Sequence, residues 1–217
     1  MRTPRFDAFV AHVPITCSTL SLGDPEEFAM RAEAVLDATL SYAIEKALAQ
    51  GVPNGGNAFF GDTHLTQLGG GAVLPETGIA FLENAIGQTG RGGILHLTPG
   101  VVGKVGFNLI REYDPDGVEN SGDEYLCTAN GTPVSAGAGY IGSAPAGKTP
   151  SDPSTGVDWC FATGPVHVYL GEMALLPEET SAAIDRAQNV VTYRAERAAL
   201  AVWDGALQSG ALVDWTP

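Results

Sequence analysis

The stretch that decides the fold runs Asn189-Val-Val-Thr-Tyr-Arg-Ala-Glu-Arg-Ala-Ala-Leu-Ala-Val-Trp203, followed by Asp204-Gly205. Val191, Tyr193 and Ala195 alternate with Thr192, Arg194 and Glu196, the period of two that marks a strand with one wet face. From Ala198 to Trp203 both faces are apolar, so the strand is expected to enter a core. Asp204-Gly205 is a turn signal, and Ala211–Val213 reads as a second short strand. A long β segment this late in a chain is expected to close a sheet begun earlier.

Working outward, composition narrows the function classes. The chain has 217 residues, for which one domain is the expectation and two are possible. Apolar residues make up 44%, enough for a sizeable core, while charged residues make up only 17%, below the usual figure of about 25%. Few charges and 28 glycines suit a chain that buries much of itself against neighbours. The net charge is −14, from 25 acidic and 11 basic side chains, with lysines only at Lys46, Lys104 and Lys148. That balance argues against sequence-specific nucleic-acid binding, which needs clustered cations against phosphate. Cys17, Cys127 and Cys160 are odd in number and lack a Cys-x-x-Cys pair, so they read as buried thiols, with a disulfide pair as the alternative. The first residues lack the long apolar run of a signal peptide. No 18-residue apolar stretch offers a membrane span. Cytoplasmic synthesis without membrane association is the expectation.

In chain order, residues 1–24 form an arm in which Phe6, Phe9, Val10, Val13 and Ile15 are interrupted by Pro4, Pro14 and Gly23. Their apolar content points to docking on the domain or on a neighbouring subunit. Asp24-Pro25-Glu26-Glu27 is a helix start, with Asp24 as cap and Glu27 completing a capping box. Phe28, Val35, Leu36, Leu40, Ile44 and Leu48 recur at helical spacing up to the stop at Gly51. A helix of about 25 residues spans nearly 40 Å. Gly51–Gly71 reads as loop, anchored by Phe59 and Phe60. Pro75 to Gln88 reads as a helix, Ile94–Leu97 as a buried strand, and Thr98-Pro99 as the start of a third helix through Val105. Asp114–Asp123 is polar and turn-rich. Tyr125–Thr128 and Thr132–Ser135 flank Asn130-Gly131, a hairpin signal. Gly137–Gly156 is a long Gly/Pro loop, the kind that serves binding or assembly. Asp158–Ala162 and Val166–Leu170 are strands, and Pro177–Ala187 is a short helix or ordered loop. The sum is α+β.

Two phosphate-loop patterns occur and neither fits its chemistry. Gly137-Ala138-Gly139-Tyr140-Ile141-Gly142 matches G-x-G-x-x-G, yet a dinucleotide site needs a helix next, and the continuation is Ser-Ala-Pro-Ala-Gly-Lys-Thr-Pro. Gly142–Thr149 matches G-x-x-x-x-G-K-T in full, yet Lys and Thr must open a helix, and Pro150 and Pro153 follow at once. Leu212-Val213-Asp214 reads as too short for the strand that would carry a second Mg²⁺ ligand. A nucleotide-binding enzyme using Gly142–Thr149 is therefore the weakest reading. His12, His64, His96 and His167 are scattered without metal-ligand spacing. His96, in an apolar strand, reads as a satisfied core residue, and His167 with Tyr169 as one solvated or interface face. Arg194, Glu196 and Arg197 read as a wet face or as inter-subunit ion pairs. No catalytic, cofactor-binding or metal site is read from this sequence, and no cofactor is expected.

The element order, with Asn189, Thr192, Arg194, Ala195, Glu196 and Arg197 leading to Trp203 and Ala211-Leu212-Val213, resembles the major capsid proteins of tailed bacteriophages. Leu126–Ser135 and Thr163–Gly171 are similar to segments of actinobacterial phage head proteins. The resemblance implies the Hong Kong 97-like fold, shared with encapsulin shells: N-terminal arm (1–24), long spine helix (25–50), axial domain (75–188) and late antiparallel sheet (189–217), the last with the helix being peripheral. It implies a virion shell subunit assembling into pentamers and hexamers around a genome, with scaffold, portal or decoration proteins as partners. A cargo-enclosing encapsulin-type shell, or another head or tail protein, is the alternative. The family carries an extended two-stranded loop before the spine helix, for which the 24 residues here leave little room. Its Lys–Asn cross-linking is not carried over to a chain with three lysines.

Overall fold

The computed structural model describes residues 7–18, 25–51, 60, 65–106, 110–113, 125–150, 153–177, 184–185 and 187–216. The expected cap at Asp24, and Phe59, His64 and Asp114–Asp123, lie outside them. Backbone packing divides the chain into two units: Asp7–Ile44 with Val168–Ala201, and residues 45–167 with 202–216. Helix α1 (Pro25–Gln50) and strands β8 (Val166–Leu176) and β10 (Val190–Trp203) contribute residues to both.

The first unit is built on β10. Its burial alternates as the sequence implies: Val191, Tyr193 and Ala195 are buried, and Thr192 and Arg194 exposed. β1 (Phe9–Ser18) pairs antiparallel along it, from Phe9 opposite Ala199 to Ser18 opposite Val190. The stretch read as an arm thus contains a sheet strand. Ala11, Val13 and Ile15 face inward while His12, Pro14 and Thr16 face out, a period of two that Pro14 obscures in the sequence. Proline is compatible with β1 because β1 is an edge strand. The sheet order is β1-β10-β8, with β9 (Ile184–Asp185) also on β10. Ala32, Leu36 and Leu40 of α1 bury against Ala11 and Ala195, with Met173 and Leu175 at the rim. Alanines at 32 and 195 let helix and strand approach closely.

The second unit holds a seven-stranded mixed sheet in the order β2-β11-β7-β3-β6-β5-β4. These strands are β2 (Thr66–Val73), β3 (Ile94–Leu97), β4 (Ile110–Tyr113), β5 (Tyr125–Thr128), β6 (Pro133–Ala136), β7 (Val157–Thr163) and β11 (Gln208–Asp214). β11 runs parallel to β2 and antiparallel to β7, and β3 parallel to β6. Helices α2 (Pro75–Gln88) and α3 (Pro99–Val105) supply Ile79, Leu82, Ile86, Val101 and Val105 to a core shared with Leu95, Leu97, Ala211 and Val213. Gly78 brings α2 onto β11: a Cβ there would sit 2.6 Å from a Val213 methyl.

The structure departs from the sequence reading in four further places. Residues 66–73, read mostly as loop, form β2: a Gln-Leu-Gly-Gly-Gly run shows no apolar alternation, but the edge of β11 supplies the pairing. Gly69 bulges there at φ +77°, a conformation that favours glycine. Residues 110–113 form β4 on β5. The Asp204-Gly205 turn does not close a hairpin, because β10 and β11 part into different sheets. β11 is also longer than Ala211–Val213, running seven residues to Asp214.

Candidate assembly surfaces and buried polar sites

β8 lies at the end of the four-stranded sheet. Residues 167–172 are exposed in succession, so both faces of the strand meet solvent. Val168, Tyr169 and Leu170 are the apolar part of that run, with Tyr169 60% exposed. His167 and Tyr169 therefore share an exposed face, as read. On α1, Met30, Val35 and Tyr42 are exposed opposite the packed stripe of Ala32, Leu36 and Leu40. The strand charges are satisfied within the chain: Arg194 pairs with Glu196 at 3.1 Å, and Arg197 with Asp37 at 3.6 Å. Arg197 Nε also donates to the Gly171 carbonyl at 2.9 Å, tying β10 to β8.

Among the described residues of this unit, one buried side-chain oxygen has no hydrogen-bond partner. Tyr193 is buried against Val191, Phe28 and Leu175, and its hydroxyl makes no hydrogen bond to any described residue. Burying a hydroxyl without a partner costs about 1–3 kcal/mol. Tyr193→Phe is therefore expected to raise stability by about 1 kcal/mol or more, read as a higher thermal midpoint by circular dichroism. An unchanged or lower midpoint would mean that the hydroxyl is satisfied.

In the second unit the long Gly/Pro loop is pinned, not free. Residues 138–140 form a 3-10 turn, and Tyr140 is fully buried. A Glu45 carboxylate oxygen accepts the Gly139 N–H at 3.0 Å, and Gln50 Nε2 donates to the Ile141 carbonyl at 3.3 Å. The phosphate-loop letters do not fold as such a loop. Lys148 N–H donates to the Pro145 carbonyl at 2.9 Å, closing a turn; residues 146–150 are exposed, and a 3-10 turn at Pro153–Thr155 follows in place of a helix. β11 does end in an acid, but Asp214 Oδ1 accepts from the Thr216 N–H and hydroxyl, which hold its carboxyl below the usual range.

His96 is a core residue with both ring nitrogens used. Thr163 Oγ1 donates to the Gly164 carbonyl, so it accepts from His96 Nε2–H at 2.9 Å. Nδ1 then accepts from the Tyr140 hydroxyl at 3.2 Å, and Tyr140 from Ser135 at 2.7 Å. This chain fixes a neutral imidazole. Burial lowers its pKa to about 3 and pushes the Tyr140 hydroxyl up. Phe60 stacks on the ring at 4.2 Å and meets Trp203 edge-on at 5.2 Å. Asp158, a buried acid invisible in the pattern, accepts Thr98 Oγ1–H at 2.9 Å and Trp215 Nε1–H at 2.8 Å on one oxygen. Cys127 and Cys160 are free and buried, and burial raises the Cys160 thiol pKa; the Cys17 side chain lies outside the described residues. Among the described residues, no group of three or more His, Cys, Asp or Glu could hold a metal ion, and no helix is long and apolar enough to cross a membrane.

No known family profile and no curated sequence matches the chain. Solved structures do. A structure of Gordonia phage Cozz superposes over 96% of this chain and 70% of its own, with a TM-score of 0.52 at 14% identity. One of Mycobacterium phage Ogopogo covers 96% and 75%, at 0.53 and 13%. The holo-SrpI encapsulin complex of Synechococcus elongatus covers 100% and 77%, at 0.50 and 12%. The fold is Hong Kong 97-like.

Proposed function

We propose that this chain is a shell subunit of a bacteriophage head, assembling with copies of itself into pentamers and hexamers that enclose a genome in the virion. The observation that carries the reading is the superposition of nearly the whole chain on structures from phages and an encapsulin. In this reading the unit of Asp7–Ile44 and Val168–Ala201 plays the peripheral role and the mixed-sheet unit the axial one. Chemistry agrees: a shell subunit works through broad contacts repeated by heterologous interfaces. The exposed Val168-Tyr169-Leu170 run and the low charge content suit such contacts. The −14 charge suits a wall that must not bind packaged DNA tightly. Scaffold, portal or decoration proteins are the partners such a head would use, and assembly would follow synthesis in the host cytoplasm. The structural role assigns no catalytic work to any residue.

The full-length match to the encapsulin favours one second reading, a shell that encloses protein cargo. Sedimentation of the protein expressed in cells, with its contents analysed, tests both. Fast-sedimenting particles are expected. Nucleic acid inside, or particles that form only with a phage scaffold, supports the head; a single co-purifying internal protein supports the cargo shell. Protein that stays monomeric at high concentration and with candidate scaffolds contradicts both.

A further inference from the structure

The turn between β5 and β6 carries a chemistry independent of the shell reading. Asn130 is exposed, and Gly131 follows it at φ +81°. No atom beyond its chain neighbours lies within 4 Å of where a Gly131 Cβ would be, so no packing covers the Asn-Gly junction among the described residues. We propose that Asn130 is a deamidation site held in check by Glu83. In the reaction, the Gly131 nitrogen loses its proton to base and attacks Asn130 Cγ. The new C–N bond closes a five-membered imide; the bond from Cγ to Nδ2 breaks, and ammonia leaves with a proton. Water then adds to either imide carbonyl and opens the ring to aspartate or isoaspartate. The net change is an amide and water giving an acid and ammonia.

Two contacts restrain this chemistry in the folded state. Gly131 N–H donates to the Thr128 carbonyl at 2.9 Å, which occupies the nucleophile. Asn130 Nδ2 donates to Glu83 Oε2 at 2.8 Å, which holds the amide toward α2. Glu83 Oε1 accepts from the Thr128 hydroxyl. Thr128 Oγ1 in turn receives the N–H groups of Asn130 and Thr132 at 3.3 and 3.2 Å. Conversion therefore proceeds only while the turn is locally open. Once formed, the product carboxylate faces Glu83 across a hydrogen-bond distance where a donor stood, and two like charges there disfavour each other. The Asn130 contact of the clasp between hairpin and α2 cannot form again, leaving the Thr128 hydroxyl as its remaining contact to Glu83, so the modification is a one-way loosening of this turn.

The test holds the protein at mildly alkaline pH, folded and in urea, and follows the Asn130 peptide by the amide-to-acid mass change. The chain's other Asn-Gly pair, Asn54-Gly55, serves as an in-chain reference. Conversion at Asn130 is expected in the folded protein, slower than in urea on the order of tenfold, and Glu83→Ala should recover most of that difference. Independently, Asn130→Asp should lower the thermal midpoint, and adding Glu83→Gln should restore it. Equal rates folded and in urea, a rate unmoved by Glu83→Ala in a folded variant, or an Asn130→Asp midpoint indifferent to Glu83→Gln would overturn the proposal.

Discussion

Phe60→Ala is expected to cost about 3–5 kcal/mol, the range for emptying a large aromatic site in a core. Phe60 is completely buried although it belongs to a stretch read as loop. Its ring meets His96, Trp203, Phe161 and Tyr140 at 4.2, 5.2, 5.7 and 6.2 Å between centroids. Its backbone is fixed as well: Phe60 N–H donates to the Leu48 carbonyl at 2.8 Å, and Gln208 Nε2 donates to the Phe60 carbonyl at 2.9 Å. The residue thus ties the end of α1 to β3, β7 and β11. Collapse around the cavity is opposed by the hydrogen bonds that fix two of these rings, His96 to Thr163 and Tyr140 to Ser135. Trp159, Trp203 and Trp215, the only tryptophans, all belong to this unit, so tryptophan fluorescence in urea reads its unfolding directly. A shift worth under about 1 kcal/mol, the scale of a surface change, would show that Phe60 is not a core anchor.

Acidification is the second large effect. His96 is lowered from 6.5 to about 3 by burial. The unfolded chain therefore binds a proton that the folded one refuses. The stability from keeping His96 neutral is fully present above pH 6.5 and is lost as pH falls toward 3, at about 1.4 kcal/mol per pH unit. That is about 2 kcal/mol between pH 7 and 5, and roughly 5 kcal/mol across the window. A His96→Gln variant removes the titration while other groups, common to both proteins, cancel in the comparison. The urea midpoint of the wild type should fall more steeply from pH 7 to 5 than that of the variant. Parallel pH profiles would mean that the folded state admits the proton, against the Tyr140 and Thr163 contacts described.

What the sequence disclosed followed from local periodicity. The alternation of Val191, Tyr193 and Ala195 gave β10 its face, and the helical spacing of Leu36 and Leu40 gave α1 its buried stripe. Asn130-Gly131 marked its hairpin because a positive φ at glycine is a local requirement. The misses share a cause, since each depends on a partner distant in sequence. β2 has no pattern of its own and exists because β11 lies beside it. β1 alternates, but Pro14 reads as a breaker until an edge position makes its missing N–H harmless. The split of β10 and β11 between sheets follows from pairing, which the Asp204-Gly205 turn does not encode. The buried polar groups were legible only in part. His96 stood out in an apolar strand, whereas Asp158 with Trp215 and Glu83 with Asn130 are joined across 57 and 47 residues, with no spacing rule to announce them. The phosphate-loop letters at Gly142–Thr149 show the converse, a local match whose surroundings fold into a turn.

Whether the chain builds shells is decided by electron microscopy of the purified protein, imaged alone and after co-expression with candidate scaffolds. Closed particles, or rings of five or six subunits, are expected, with α1 and β10 of each copy resolved in the wall. Uniform particles near the 22.5 kDa of one chain under every condition would contradict shell building.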